Sequence, residues 1–113
     1  MAVENPSLSR SGEPLPPHNT DAEEALLGSL LIDRDAIAPI AAFLRPDDFY
    51  RERHAVIYAA MLALHQRGEP VDIVTLSDEL RRTERYDAAG GLAYLSSLLT
   101  VVPTSLHAER YAR

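Results

Sequence analysis

The apolar residues of this chain recur at three- and four-residue spacing, the period of an α-helix, from residue 18 onward. Leu26, Leu27, Leu30 and Leu31 form the first apolar stripe and predict a helix that ends near residue 32. The segment Thr20–Glu23 has the spacing of a capping box, in which the threonine hydroxyl and the glutamate carboxylate each accept a backbone N–H. The sequence therefore predicts a first helix that is capped by Thr20.

Residues 51–67 predict the central helix of the fold. The middle of this segment, from Ala55 to Leu64, contains no charged or amide side chain. A helix that is apolar on all sides is buried on all sides, and this one is far shorter than a membrane span. We expect it to run through the centre of a helical bundle and to end at Gly68, a residue favoured after a helix.

Further helices are predicted on both sides of this segment. A short helix covers about residues 36–44, with Pro39 in its first turn. A fourth helix follows the cap residue Asp72 and a fifth covers about residues 92–100. A sixth is expected after Pro103, and no segment alternates with the period of a strand. The predicted fold is all-α, a small globular bundle of about six helices around a buried central helix.

Residues 1–17 differ in composition from the rest of the chain. They contain four of the eight prolines together with serine and glycine, and only Val3, Leu8 and Leu15 are suited to contact a core. Such a composition cannot offset the entropy lost on ordering. We therefore expect a disordered Pro/Ser-rich arm over residues 1–17 and one helical domain over residues 18–113.

The charged residues exclude several kinds of function. The chain has 113 residues and a net charge of −6, and all 11 of its basic residues are arginines. Without lysine there is no Walker A loop and no Schiff-base chemistry. Without cysteine there is no disulfide and no thiolate metal site. Because no signal peptide or membrane span is visible, we expect a soluble, cytoplasmic protein.

Candidate catalytic and metal-binding residues do not combine into a site. His54 and His65 lie on one face of the same predicted helix but about 16 Å apart, too far to share a metal ion. We interpret both as making polar contacts near helix ends. Asp47 and Asp48 belong to a turn and point in different directions. We predict no catalytic, cofactor-binding or metal-binding residue in this chain.

One basic cluster is a candidate for binding a protein partner. Arginine forks to carboxylates and stacks on aromatic rings, and both properties suit interfaces. Nucleic-acid contact and a solvated helix end, neutralised by neighbouring acidic residues, are the alternatives. The predicted partner-binding residues are Leu80, Arg81, Arg82, Arg85 and Tyr86.

The order of the motifs from about Pro17 to Arg113 resembles the N-terminal domain of DnaB-type bacterial replicative DNA helicases. The resemblance is carried by ordered blocks rather than by one motif. The blocks are Pro17-His18-Asn19 before Ala22-Glu23, Leu26-Leu27-Gly28-Ser29-Leu30-Leu31, Leu44-Arg45-Pro46-Asp47-Asp48-Phe49-Tyr50 with His54, Gly68-Glu69-Pro70-Val71-Asp72 with Val74-Thr75-Leu76, Gly90-Gly91 with Tyr94-Leu95, and Val102-Pro103-Thr104 with Tyr111-Ala112-Arg113. His107 departs from the family pattern, which often has asparagine at that position.

The resemblance implies a helical collar domain whose ATPase motor is absent from this chain. In the family, six subunits form a ring, the N-terminal domains pair as dimers in a collar, and the collar docks primase. A helicase loader is a further implied partner. DNA, ATP and Mg²⁺ bind through the motor domain, which unwinds DNA 5′ to 3′, so no cofactor is expected in this fragment.

Two alternatives stay open at this point. The first is the helicase-binding domain of a primase, whose fold is similar; a start at Met1 with only an arm before the helices favours the helicase. The second is a stand-alone acidic helical adaptor, which a downstream Walker A sequence would eliminate.

Overall fold

The computed structural model describes residues 19–101. Over this range it contains five α-helices, one short 3₁₀ helix and no β-strand, which confirms the all-α prediction. The expected arm over residues 1–17 and the expected sixth helix lie outside the described residues. The elements are α1 Thr20–Ile32, α2 Ile37–Ala41, the 3₁₀ helix Pro46–Asp48, α3 Glu52–Gln66, α4 Ile73–Arg82 and α5 Gly91–Leu98.

Helix α3 lies at the centre and packs against α1, α2, α4 and the 3₁₀ helix. Tyr58 is fully buried, and its hydroxyl donates to the Leu44 carbonyl oxygen at 3.0 Å. Burial, together with the nearby Asp48 carboxylate, raises the pKa of Tyr58 to about 12. The expected burial on every side of the apolar middle of α3 is met only in part, since Ala55, Leu62 and Ala63 are half-buried and Ala59 is exposed. This one position leaves a shallow opening along α3.

Helix α1 begins differently from the prediction. Its cap is Asn19 rather than Thr20, because the Asn19 side chain accepts a hydrogen bond from the Ala22 backbone N–H at 2.9 Å. Glu23 does not complete a capping box, because its carboxylate is fully buried and faces the Tyr50 N–H and His54 instead of the start of α1. Glu23 lies one turn before Leu27 and so belongs to the buried face of α1. The capping-box prediction is therefore wrong.

Helix α2 is shorter than the predicted segment 36–44. It ends at Ala41, and the chain reaches the buried Leu44 through a turn in which the Leu44 N–H donates to the Ile40 carbonyl at 2.9 Å. Pro39 lies in the first turn, as predicted, where its missing N–H has no intrahelical partner to lose.

The starts of α4 and α5 depend on specific residues. The Asp72 carboxylate accepts from the Thr75 backbone N–H at 2.9 Å, which confirms the predicted cap of α4. Gly90, before α5, has φ 98°, and a Cβ atom there would lie 2.8 Å from the Cβ of Tyr94. Only glycine fits such a contact and such a φ without strain. Gly90 therefore lets the chain turn into α5 beside the Tyr94 side chain, and α5 packs against α1 and α4.

No helix in this part of the chain combines the length and the apolar character needed to cross a membrane.

Candidate functional site

The predicted partner-binding residues lie at the end of α4 and in the loop that follows. Leu80 is fully buried, so it supports this surface from the core and cannot itself contact a partner. The Arg81 guanidinium stacks on the Tyr86 ring, 4.4 Å from its centroid. Arg82 donates to the Glu79 carboxylate at 2.9 Å. The structure thus brings Arg81, Arg82 and the edge of Tyr86 together at the surface and excludes Leu80 from it.

Tyr86 and Arg85 differ in what they do for the domain. The Tyr86 hydroxyl accepts a hydrogen bond from the Leu92 backbone N–H at 2.7 Å. It thereby satisfies one of the free N–H groups at the start of α5. Arg85 is exposed, and no carboxylate within residues 19–101 forms an ion pair with its guanidinium. Arg85 is therefore the member of the cluster most available to a partner.

A groove of about 230 Å³ runs between α3 and the end of α4, with Arg85 at its rim. Its floor includes the exposed Ala59, whose small side chain leaves the groove open. An apolar floor beside an exposed arginine suits a partner segment that combines small apolar side chains with a carboxylate. The other lining residues are Val56, Ala60, Ala63, Glu79, Leu80 and Thr83.

Glu79 is a buried carboxylate held between two arginines. Arg67, just after α3, lies 2.7 Å from one carboxylate oxygen, and Arg82 of α4 lies 2.9 Å from the other. The hydrogen bond from Arg67, supported by that from Arg82, lowers the pKa of Glu79 although burial acts in the opposite direction. This Glu79 clamp ties the end of α3 to the end of α4.

A second buried polar group joins α1, α3 and α5. Glu23 of α1 and His54 of α3 are both fully buried, with 2.6 Å between the carboxylate and Nδ1. The other ring nitrogen, Nε2, lies 2.6 Å from the Tyr94 hydroxyl of α5. That hydroxyl donates to Glu24 at 2.7 Å. We refer to Glu23, Glu24, His54 and Tyr94 as the His54 network.

The backbone before α3 completes this network. The second Glu23 oxygen accepts from the Tyr50 N–H at 2.6 Å, and the first also lies 3.4 Å from the Arg51 N–H. The Arg53 guanidinium lies 4.5 Å from the Tyr94 ring centroid and covers the ring from outside. Each polar group that the network buries therefore has a partner, as buried polar groups require.

The His54 network is not predicted by the sequence. The spacing of Glu23 suggests a helix cap, the position of His54 suggests helix-end contacts, and no local pattern points to a polar role for Tyr94. One feature of the sequence does point to the network, because Glu23 lies one turn before Leu27 on the same face of α1. A carboxylate on a buried face needs a hydrogen-bond partner inside the protein. Residues 19–101 include no set of three or more His, Asp or Glu side chains placed to hold a metal ion.

Comparison with known proteins is consistent with this all-helical architecture. The model of the "DnaB-like helicase N terminal domain" family matches residues 15–113, and the chain belongs to this family. The N-terminal domain of DnaB helicase from Mycobacterium tuberculosis is a similar solved structure, with a TM-score of 0.81 and 45% identity. The match covers 87% of this chain and 68% of that one.

Curated relatives extend the likeness to complete helicases. The replicative DNA helicase DnaB of Geobacillus stearothermophilus is 46% identical over 101 residues, which is 89% of this chain. The replicative DNA helicase DnaC of Bacillus subtilis is 46% identical over 99 residues, or 88% of this chain. In both cases the match covers 22% of the relative, so the chain spans about a fifth of the length of these proteins.

Proposed function

We propose that this chain is the N-terminal head of a replicative DNA helicase and that it acts through protein contacts. In this proposal the heads pair as dimers in the collar of a hexameric ring and dock primase at the replication fork in the cytoplasm. A helicase loader is a further partner. The observation that carries the proposal is membership of the family, supported by 46% identity to a replicative helicase over most of the chain.

The proposal assigns ATP hydrolysis, Mg²⁺ binding and 5′ to 3′ unwinding of DNA to a motor domain of the whole protein. The chain spans only 22% of the relative from Geobacillus, and its basic residues are all arginines. A P-loop needs a lysine that reaches the β- and γ-phosphates. The head therefore supplies binding surfaces, and the nucleotide binds elsewhere.

For primase we propose docking at the groove between α3 and the end of α4. Arg85 is exposed at its rim and pairs with no carboxylate of residues 19–101, and Ala59 opens its floor. Arg82 and Tyr86 are less suited to recognition, because each already holds a neighbouring part of the domain. This refines the predicted partner surface to Arg85, with Arg81 beside it.

The test is calorimetric titration of the cognate primase C-terminal domain into the chain and into Arg85→Glu. Reversing a charge at a docking face removes an attraction and adds a repulsion, so we expect binding at least about tenfold weaker. Arg34→Glu is the matched control, since Arg34 is exposed in the turn after α1. Equal affinity for both variants would move the docking face elsewhere, and failure of the parent chain to bind would contradict docking by the head alone.

Two other functions were open from the sequence. A primase helicase-binding domain is disfavoured because the similar proteins named above are helicases. A stand-alone adaptor is disfavoured for the same reason. A gene sequence that continues into a Walker A motif would exclude both.

A further inference from the structure

The turn after α4 is a Schellman motif with a glutamate at its left-handed position. The Arg85 N–H donates to the Leu80 carbonyl at 2.7 Å, and the Glu84 N–H donates to the Arg81 carbonyl at 3.1 Å. This pair of bonds requires a left-handed residue just after the helix, and Glu84 accordingly has φ 61°. In the part of the chain that the structure describes, no other residue except glycine has a positive φ.

The turn after α3 has the same motif with glycine at the corresponding position. Its Glu69 N–H donates to the Leu64 carbonyl at 2.9 Å, and Gly68 has φ 76°. A Cβ atom at Gly68 would meet nothing within 4 Å beyond its chain neighbours, so glycine serves the backbone conformation there and not a close contact. A residue with a Cβ atom is strained in this conformation, whereas glycine is not. The motif therefore explains the conformation of Glu84 but not the presence of a glutamate.

No contact within the domain accounts for the Glu84 carboxylate. The residue is exposed, and its side chain forms no hydrogen bond or ion pair with any residue that the structure describes. The arginines before it are engaged elsewhere, since Arg81 stacks on Tyr86 and Arg82 donates to Glu79. Backbone strain that no internal contact offsets is found mostly at positions that serve binding or catalysis.

The strained turn places Glu84 at the groove between α3 and the end of α4. Glu84 lies between Thr83 and Arg85, which both line this groove. The Arg85 backbone is held on both sides, because its N–H donates to Leu80 and its carbonyl accepts from the Ala89 N–H at 3.0 Å. An anion and a cation are therefore neighbours on a fixed backbone, and neither forms an ion pair within residues 19–101.

We propose that Glu84 is a recognition residue that binds a lysine or arginine of the docked primase segment. The inference rests on the proposed docking of primase at this groove and adds a second charge to that surface. Arg85 binds a carboxylate of the partner, and Glu84 binds a cation beside it. The partner segment then combines small apolar side chains with one acidic and one basic residue.

Two opposite charges side by side recognise the direction of the partner segment as well as its composition. A segment docked in reverse would bring its cation to Arg85 and its carboxylate to Glu84, and both contacts would be repulsive. The net charge of −6 also favours a partner whose docking segment includes a cation. Glycine in place of Glu84 would give a more stable turn but would leave the groove with a single charge, which cannot distinguish the two directions.

The binding test is calorimetric titration of the cognate primase C-terminal domain into Glu84→Gln. This variant keeps the size of the side chain and the strained backbone but removes the charge, so we expect binding about fivefold weaker, as for loss of one partly exposed ion pair. Asp87→Asn is the matched control, because Asp87 is an exposed carboxylate of the same loop, and it should bind as the parent chain does. Equal binding by Glu84→Gln and the parent would overturn the role of Glu84.

A second variant, Glu84→Gly, separates recognition from stability. Glycine relieves the strain at φ 61°, so we expect the melting temperature to rise by about 4 °C. Primase binding should fall by the same factor as in Glu84→Gln. A residue that only completes the turn would show the gain in stability without the loss of binding. Binding that is lost in Glu84→Gly but kept in Glu84→Gln would assign the effect to the backbone and contradict the proposal.

The variants also distinguish failure of this inference from failure of docking at the groove. If Arg85→Glu weakens binding and Glu84→Gln does not, the groove docks primase and the role assigned to Glu84 is wrong. If neither change alters the affinity, the docking face lies elsewhere and both proposals are wrong. Failure of the parent chain to bind primase would contradict both as well.

Discussion

Glu23 and Glu79 are both buried carboxylates that join helices, but the groups that satisfy them differ. Glu23 meets the fully buried imidazole of His54 and two backbone N–H groups just before α3. Glu79 meets two guanidinium groups whose side chains are 41% and 64% exposed. The cost of removing a buried carboxylate therefore depends on whether the donors that lose it can reach water. The His54 imidazole, fully buried, has no access to water if Glu23 is lost, whereas the arginines at Glu79 are already partly exposed to it.

The largest effect is expected from Glu23→Ala. The substitution removes the buried carboxylate that faces His54 in the core, so the free energy of unfolding should fall by about 3–5 kcal/mol. Urea denaturation measures it. Asp21→Ala, in the same turn of α1 but exposed, should stay within about 0.5 kcal/mol of the parent. Equal losses in the two variants would show that Glu23 acts only through helix propensity.

Tyr94→Phe should have the next largest effect. It keeps the ring under Arg53 but removes the hydroxyl between His54 and Glu24. We expect a loss of about 1–3 kcal/mol, the cost of leaving buried polar groups unpaired. Amide hydrogen exchange should show a larger loss of protection in α5 than in the other helices, because Tyr94 is the residue of α5 that reaches this network. Uniform opening of all helices would argue against a local role.

Glu79→Gln tests the buried carboxylate whose partners are exposed. The arginines released by this change can turn to solvent, so the loss should be about 1 kcal/mol, clearly below that of Glu23→Ala. The measurement is the same urea titration. A loss as large as that for Glu23→Ala would mean that exposure of the partner does not decide the cost.

The pH dependence of the Glu79 clamp follows from the direction of its pKa. Since the folded state lowers the pKa of Glu79 from the ordinary value of 4.5, the unfolded chain takes up the proton first as the pH falls. The stabilisation is therefore complete well above pH 4.5 and is lost as the pH falls through the lower folded value. Glu79→Gln should have a flatter stability profile below about pH 5 than the parent chain. Parallel profiles would contradict the clamp.

Arg85→Glu should have the smallest effect on the fold. Arg85 forms no ion pair with a carboxylate of residues 19–101, so the melting curve should correspond to a change within about 0.5 kcal/mol. A larger loss would mean that Arg85 stabilises the domain, and its use as a probe of primase docking would then need another variant.

Local features of the chain could be predicted, whereas the partners of buried polar groups could not. The central helix α3 and the cap at Asp72 depend on neighbouring residues; the cap is confirmed, and the burial of α3 is confirmed except on the side of Ala59. Leu80 was assigned to a surface although it continues the apolar stripe of Leu76, which is the signal for its burial. Glu23 could not be placed, because a carboxylate at the start of a helix suits a cap as well as a buried ion pair, and the choice depends on His54, 31 residues away.

The spacing of these contacts along the chain also has a kinetic consequence. The Glu79 clamp joins residues 12 and 3 positions apart, whereas the His54 network joins residues 31, 40 and 70 positions apart. Closing longer loops costs more entropy, so contacts between α3 and α4 can form early and the tie between Tyr94 and Glu24 last. Contacts absent from the folding transition state act mainly on the unfolding rate. The core histidine and its partners would then control how long the folded head persists, while the arginine clamp would influence how quickly it forms.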